Sequence, residues 1–335
     1  MQVFSPALYI FRTCKGVVNA NSDVVLTDKG AYWCKYNQDE FLTWAVTSDG
    51  NVTWYDRNNI GIVKSKKQEF IPGKVLSLIG LWSNHWVHHF YEYLPKLFAA
   101  GEAGVLNQPI KLLIVENLDS NLKEAINNYL ADFPLVEIQF AKYGIDYTCK
   151  DLYFIPNMGP CCSDYRFRLD YPFVIPKYVI DKVYQYVVNP IIEKVKNNKP
   201  KYDKLYMGRN NKSTKIARTV SNEEEVSNYL KSIGYVDFEG AGLTLEEKAD
   251  IIYHAKEIVA SLGSSLLNLM FSNKANCMVL GNYKFSIEFI CYCFVREKVG
   301  RYVYVTGQDE SAEYHCNYYI PLEKIKKVYD EYIKS

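Results

Sequence analysis

Apolar residues recur along the chain with two different spacings, which predict strands in some regions and helices in others. From residue 3 to residue 77, short apolar runs are broken by polar turn sequences such as NSD at 21–23. Runs of this kind predict short strands joined by hairpin turns. We therefore predict a strand-rich segment over residues 1–78.

The spacing changes in the next region, where strands and a helix alternate. Strands are predicted at 112–115, 136–140 and 152–155, and a helix runs from Asp119 to about Ala131. Alternation of this kind is typical of α/β architecture. Together with the strand-rich segment, it predicts an N-terminal α/β domain over residues 1–180.

A longer helix is predicted over 177–196, with a bend near Pro190, and the polar sequence NNKP at 197–200 suits a linker. Strands and helices then alternate, and two helices begin with predicted capping boxes, at 221–224 and 244–247. Strands are predicted at 204–207, 235–238, 258–262 and 277–280, with a short helix at 264–271. Because parallel strands need helical crossovers, we predict a Rossmann-like domain over 200–320.

The last apolar stripe lies between residues 321 and 333. Its members are spaced three or four apart, namely Leu322, Ile325, Val328, Tyr329, Tyr332 and Ile333. This spacing predicts a helix that packs on the body, so residues 321–335 are assigned to a C-terminal helix.

Composition narrows the possible functions. The chain has 335 residues with 39 Lys+Arg against 38 Asp+Glu, so its net charge of +1 gives no field that attracts nucleic acid. No apolar run approaches the roughly 20 residues that span a bilayer, and the first residues lack a secretory pattern. We expect a cytoplasmic protein without a membrane span. Nine cysteines without a C-x-x-C pair are expected to be buried thiols.

The first group of candidate residues lies in the sequence WSNHWVHHFYEYLP at 82–95. A helix capped by Ser83 or Asn84 would put His88 and Glu92 on one face, with His85 and His89 on the same stripe. An imidazole beside a carboxylate can remove a proton from a hydroxyl near neutral pH. Two other interpretations stay open: the histidines are hydrogen-bonded core residues without a catalytic role, or they form a metal site.

Two further groups lie at predicted strand ends. Arg209 follows the strand at 204–207, where ligands of parallel sheets bind, and its guanidinium suits phosphate. Gly263 and the serines Ser264 and Ser265 follow the strand at 258–262 and open a helix, which exposes backbone N–H groups to an anion. The alternatives are a solvated basic loop and a plain capped helix. The chain contains no D-x-D motif for a metal-bound diphosphate.

In their order along the chain, these groups resemble glycosyltransferase family 61. Its H-x3-[DE]-x-L-P element is matched by HHFYEYLP at 88–95. Later elements of the family are matched by YMGR at 206–209, RTVSNE at 218–223, DFE at 237–239, LTLEE at 243–247 and LLNLMF at 266–271. The family's turn usually reads His-Gly-Ala, whereas this chain has Leu262, Gly263 and Ser264.

The resemblance implies an α/β protein of GT-B type, with two Rossmann-like domains facing a cleft. It implies an inverting transfer of a sugar from a nucleotide donor, expected to be UDP-linked, to a hydroxyl of a glycan. The base would be Glu92 or His88, and His85, Trp86 and His89 would lie on the acceptor side. The donor side would comprise Arg209, Arg218, Glu239, Gly263, Ser264, Ser265 and Asn268.

The nucleotide sugar is then a co-substrate, and we expect no metal cofactor. Two alternatives stay open at this point: a sugar-nucleotide-binding protein without catalysis, and a metal hydrolase that uses His85, His88 and His89. The sequence leaves the donor sugar, the acceptor, the linkage and the oligomeric state open.

Overall fold

The computed structural model describes residues 9–33, 51–55, 60–156, 175–209, 219–282, 287–312 and 316–334. The chain forms two compact units, Met1–Val187 and Val188–Ser335. Each has its own sheet, and the mixture of sheets and helices confirms the predicted α/β class.

The first unit is built on a mixed sheet of eight strands within the described ranges. Its central strand, β10, pairs in parallel with β7 on one side and antiparallel with β1 and β2 on the other. The sheet order is β4-β3-β2-β10-β7-β8-β9, and β5 and β6 form a separate hairpin. The strands are β1 (Phe11–Thr13), β2 (Gly16–Asn19), β3 (Ser22–Thr27), β4 (Gly30–Trp33), β5 (Val52–Tyr55), β6 (Ile60–Ile62), β7 (Lys67–Ser77), β8 (Ile110–Val115), β9 (Val136–Ala141) and β10 (Ile145–Phe154).

The predicted strand at 152–155 is too short, because β10 begins at Ile145. Its polar start conceals a buried strand: Asp146 is 5% exposed and accepts hydrogen bonds from Asn19 Nδ2 at 2.7 Å and from the Ser65 backbone N–H at 2.9 Å. Burial of a polar side chain is tolerated when its hydrogen bonds are satisfied. The strands of the N-terminal segment thus extend the α/β sheet with antiparallel partners.

Helices of the first unit are α1 (Trp86–His88), α2 (Leu94–Glu102), α3 (Ser120–Leu130) and α4 (Lys177–Val183). A π-helical turn, His89–Tyr93, joins α1 to α2. The helix predicted from Asp119 is confirmed: the Asp119 carboxylate caps α3 by accepting from the Asn121 N–H at 2.9 Å. A second π-helical turn, Tyr184–Val188, follows α4 and continues into α5 (Asn189–Val195).

The second unit contains the predicted parallel sheet, with order β12-β11-β13-β14-β15. The sequence analysis predicted four of these strands and missed the fifth, β15. The strands are β11 (Lys204–Met207), β12 (Val236–Asp237), β13 (Glu257–Ser261), β14 (Ala275–Gly281) and β15 (Val299–Thr306), followed by a short hairpin of β16 (Gln308–Asp309) and β17 (Tyr318–Tyr319).

Helices of the second unit, after α5, are α6 (Glu223–Ser232), α7 (Leu245–Ile252), α8 (Ile287–Val295) and α9 (Leu322–Val328). The box at 244–247 is confirmed, since Thr244 and Glu247 each accept a hydrogen bond from the other's backbone N–H. The box at 221–224 is wrong: Asn222 is the N-cap residue of α6 and makes no side-chain cap, because its Oδ1 accepts from the Ile320 backbone N–H at 3.3 Å instead.

The terminal helix lies where the periodicity predicts it, as α9 and a π-helical turn, Tyr329–Ile333. Ile325, Tyr329 and Ile333 are buried in the core of the second unit, whereas Tyr332, predicted on the same face, is 48% exposed. No helix in the parts of the chain that the structure describes is long and apolar enough to cross a bilayer.

Candidate functional site

The helical segment that begins at Trp86 carries the first group of candidate residues. His85 is the N-cap residue of α1 and makes no side-chain cap, so the predicted caps, Ser83 and Asn84, are not used. The π-helical turn His89–Tyr93 interrupts the α-helix within the predicted motif. Such turns are frequent at functional sites, and nothing in the spacing of apolar residues predicted this one.

His88 and Glu92 form a pair. The Nδ1 atom of His88 lies 2.9 Å from Glu92 Oε1, as the four-residue spacing predicts. Glu92 is buried, with 1% of its side chain exposed, whereas 15% of the His88 side chain is exposed. When Glu92 is ionised it can only accept, and Nδ1 of His88 then keeps its proton and donates the hydrogen bond to Glu92. The other ring nitrogen, Nε2, then has the lone pair that can take a proton from a ligand.

Tyr91 belongs to the same group, although the sequence analysis did not identify it. Its hydroxyl oxygen lies 2.9 Å from His88 Nδ1, and the two rings are 5.3 Å apart. The spacing of three residues on a helix was the available signal. Tyr91 is 2% exposed, so it adds a second polar contact to the protected side of the imidazole.

The other three predicted residues of this group separate from one another. His85 is exposed, and its ring makes an edge contact with the His88 ring at 5.1 Å. Trp86 is partly exposed and packs against Phe90. His89 does not share the stripe: it is 1% exposed, and its Nδ1 donates to the Ser83 carbonyl at 2.6 Å. The π-helical turn begins at His89, where a regular α-helical stripe no longer applies.

In the second unit, the other two candidate groups meet. Arg209 follows β11 and Gly263 follows β13, and these are adjacent parallel strands in which Met207 pairs with Ala260. The Arg209 guanidinium donates from Nη1 to the Leu262 carbonyl at 3.2 Å. A β-carbon built on Gly263 would lie 3.4 Å from the guanidinium carbon, so the guanidinium lies against the backbone of the turn.

Glu223, the first residue of α6, binds the backbone of Arg209 through its carboxylate. Its Oε1 accepts from the Tyr206 hydroxyl at 2.6 Å and from the Arg209 backbone N–H at 3.2 Å. Burial raises the pKa of Glu223, and these hydrogen bonds oppose the increase. Burial also lowers the pKa of Arg209, although a guanidinium keeps its proton at neutral pH. Gly208 is required here, because a β-carbon would collide with Glu223 Oε1.

Arg209 and Glu239 line one cavity of about 380 Å³ in the second unit. The volume falls in the range of roughly 300–1,000 Å³ that is usual for small-molecule sites. Carboxylates outnumber cations among the lining side chains, which include Glu223, Glu224, Asp237 and Glu239 against Arg209 and Lys231. Lys231 also pairs with Asp237 at 2.7 Å. The cavity therefore offers mainly acceptors, with one guanidinium at its border.

The remaining predicted donor-side residues differ in their positions. Gly263 is the N-cap residue of a 3₁₀ helix, Ser264–Phe271, and this helix has no side-chain cap. Both serines are partly exposed, and the Asn268 amide donates to the Ser265 carbonyl at 2.9 Å. Arg218 lies outside the described residues. Across the ranges that the structure covers, no group of three or more His, Cys, Asp or Glu side chains is arranged for a metal ion.

One family model matches residues of both units. A family model described as Glycosyltransferase 61 matches residues 84–279, which include the His88–Glu92 pair, Arg209, Glu223 and the Gly263 turn. The comparison with curated proteins gives no match.

Proposed function

The chain belongs to glycosyltransferase family 61, and from this premise we propose that it transfers a sugar, with inversion, from a UDP-sugar to a hydroxyl of a glycan. The proposal extends to a GT-B fold, in which the first unit binds the acceptor and the second binds the donor. It requires a base for the acceptor hydroxyl and a positive group for the departing diphosphate. Each unit offers one of these.

The observation that carries the proposal is the His88–Glu92 pair, in which only the imidazole is exposed. A substrate hydroxyl can reach His88 but not the buried Glu92 carboxylate, so His88 is the base and Glu92 orients it. An imidazole is the side chain most often used to take a proton from a hydroxyl in proteins. As His88 becomes positively charged during the reaction, Glu92 stabilises that charge at 2.9 Å.

In the reaction step, the acceptor oxygen attacks the anomeric carbon while the bond from that carbon to the diphosphate breaks. The acceptor proton passes to His88 Nε2, and the electron pair of the broken bond leaves with UDP. Because attack and departure occur on opposite faces of the sugar, the configuration inverts. Charge that builds on the diphosphate is stabilised by Arg209, and removal of one such donor typically costs about 3 kcal/mol in the transition state.

The acidic cavity suits the nucleoside end of the donor. Its carboxylates would repel phosphate but accept hydrogen bonds from ribose hydroxyls and base N–H groups. Arg209 borders this cavity and also contacts the Gly263 turn, which is on the adjacent strand end. We therefore assign the nucleoside to the cavity, with Glu239 at the ribose or base, and the diphosphate to Arg209 and the turn. Because the donor charge is met by a guanidinium, the proposal includes no metal.

The test is a transfer assay with the full chain and a panel of nucleotide sugars. His88→Asn is expected to lower kcat by about 10²–10⁴-fold, as removal of a general base usually does. Glu92→Gln keeps an acceptor for Nδ1 and should lose less, while Arg209→Ala should abolish the thermal stabilisation by UDP. His254→Asn, which alters a histidine of the second unit, is the matched control. Full activity of His88→Asn would remove His88 from the mechanism.

A further inference from the structure

The turn that precedes the helical segment, Gly80–Ser83, contains a strained residue. Trp82 has a φ of 62°, in the left-handed region. Among the residues that the structure describes, Lys274 is the only other non-glycine residue with a positive φ. For a bulky side chain this conformation is unfavourable, and it persists only where the surroundings enforce it.

Buried polar groups enforce this turn. The Asp23 carboxylate, 5% exposed, accepts from the Leu81 N–H at 3.1 Å, and the Tyr93 hydroxyl donates to the Leu81 carbonyl at 2.8 Å. A β-carbon on Gly80 would lie 2.5 Å from Asp23 Oδ1 and 2.7 Å from the Tyr93 hydroxyl, so only glycine fits there. The backbone that precedes Trp82 is therefore held in place.

The Ser83 side of the turn is tied to the helix. The Ser83 carbonyl accepts from His89 Nδ1 at 2.6 Å, and the His85 N–H donates to the Trp82 carbonyl at 2.8 Å. The buried His89 therefore helps to hold the turn that presents Trp82. These buried hydrogen bonds on either side of Trp82 maintain its left-handed backbone conformation although that conformation is unfavourable.

The result of this arrangement is a contact between two rings. The centroid of the Trp82 ring lies 4.8 Å from that of the His88 imidazole, with the planes inclined by 43°. His85 and Tyr91 contact the same imidazole at 5.1 and 5.3 Å. A half-turn of the imidazole about its Cβ–Cγ bond would replace Nδ1 with a carbon atom opposite Glu92. Packing by the Trp82 ring opposes that rotation, because a ring that turns must displace its neighbours.

We propose that Trp82 is a positioning residue, whose strained backbone presses its ring against His88 and so keeps Nδ1 directed at Glu92 and Nε2 available to the acceptor. The catalytic consequence rests on the proposed function, whereas the orientation of the imidazole does not. Trp82 contributes no atom to the reaction. Its effect should therefore appear in kcat, with KM little changed.

The test compares Trp82→Asn, Trp82→Phe and the control Lys274→Gly in two measurements. Asn tolerates the left-handed backbone but lacks a ring, and Phe restores an aromatic surface. Histidine-selective ¹⁵N NMR reports the tautomer of His88, assigned by comparison with His88→Asn. We expect the Nδ1–H tautomer in the wild type, a mixture in Trp82→Asn and a largely restored signal in Trp82→Phe. Transfer by Trp82→Asn should fall about 10–100-fold in kcat, since small misplacements of a reacting group are costly.

Lys274→Gly relieves the other strained position and should leave the tautomer and kcat unchanged. A wild-type His88 signal in Trp82→Asn would overturn the inference, as would a fall in kcat without a change in the tautomer. If Trp82→Asn does not fold, Trp82→Gly takes its place, because glycine also tolerates the left-handed backbone and lacks a ring. A mixture of tautomers in Trp82→Gly supports the positioning role, and a wild-type His88 signal opposes it. Full transfer by His88→Asn would instead refute the proposed base, while the NMR result for Trp82 would stand separately.

Discussion

Protonation of His89 should destabilise the first unit below neutral pH. The side chain is fully buried, and burial lowers its pKa from 6.5 to about 4. The hydrogen bond to the Ser83 carbonyl opposes this decrease, and the positive charge of Lys96 adds to it. The folded state is therefore more stable with the His89 imidazole neutral than with it protonated.

The sign follows from which state binds the proton first. The unfolded chain takes up a proton near pH 6.5, whereas folded His89 resists it down to about pH 4. Stability is thus complete above the unfolded pKa and is lost as pH falls toward the folded pKa. The whole shift corresponds to about 3 kcal/mol, of which about 2 kcal/mol is already lost at about pH 5.

His89→Asn isolates this effect, because an amide can still donate to Ser83 but does not titrate. Urea unfolding can be followed by tryptophan fluorescence, which reports the first unit alone, since all five tryptophans precede residue 187. Between about pH 7.5 and about pH 5, the wild type should lose about 2 kcal/mol more than His89→Asn. His85→Asn, an exposed histidine on the same segment, should behave like the wild type. Parallel pH dependences for the wild type and His89→Asn would refute the reasoning.

Two further predictions concern the second unit. Tyr329→Phe removes a hydroxyl that donates to the buried Glu257 at 3.0 Å, so the free energy of unfolding should fall by about 1–2 kcal/mol. Urea denaturation measures this loss, and Tyr332→Phe, which alters an exposed tyrosine, is the control. Equal losses in both variants would contradict it. Gly208→Ala should displace the Glu223 side chain, lower the free energy of unfolding by about 1–3 kcal/mol and weaken the thermal shift produced by UDP. An unchanged melting temperature would contradict this, because it would show that Glu223 moves aside without a loss of stability.

Local patterns were enough to predict much of the fold. The terminal helix, the box at Thr244 and the cap at Asp119 depend on residues within one or two turns of each other, and the structure contains all three. The start of β10 was missed, because Asp146 looks like a turn residue until Asn19, 127 positions away, satisfies it. The box at Ser221 failed for a similar reason, since Ser221 donates its N–H to the distant Tyr318 carbonyl.

Site geometry shows the same division. The four-residue helical spacing predicted that His88 lies beside Glu92, and the predicted strand ends put Arg209 and Gly263 at the same edge of the parallel sheet; the structure contains both arrangements. The sequence could not show that a π-helical turn would bury His89 and leave His88 partly exposed.

What the sequence determined by itself was many of the helices and strands, their α/β class and the family to which their motifs belong. Tertiary structure alone decided which polar side chains are buried and satisfied, and which backbone is strained. Periodicity and capping act between residues close in the chain, whereas burial depends on contacts between segments far apart in it. Trp82 illustrates this, because its strain becomes intelligible only when Asp23, Tyr93 and His88 are assembled around it.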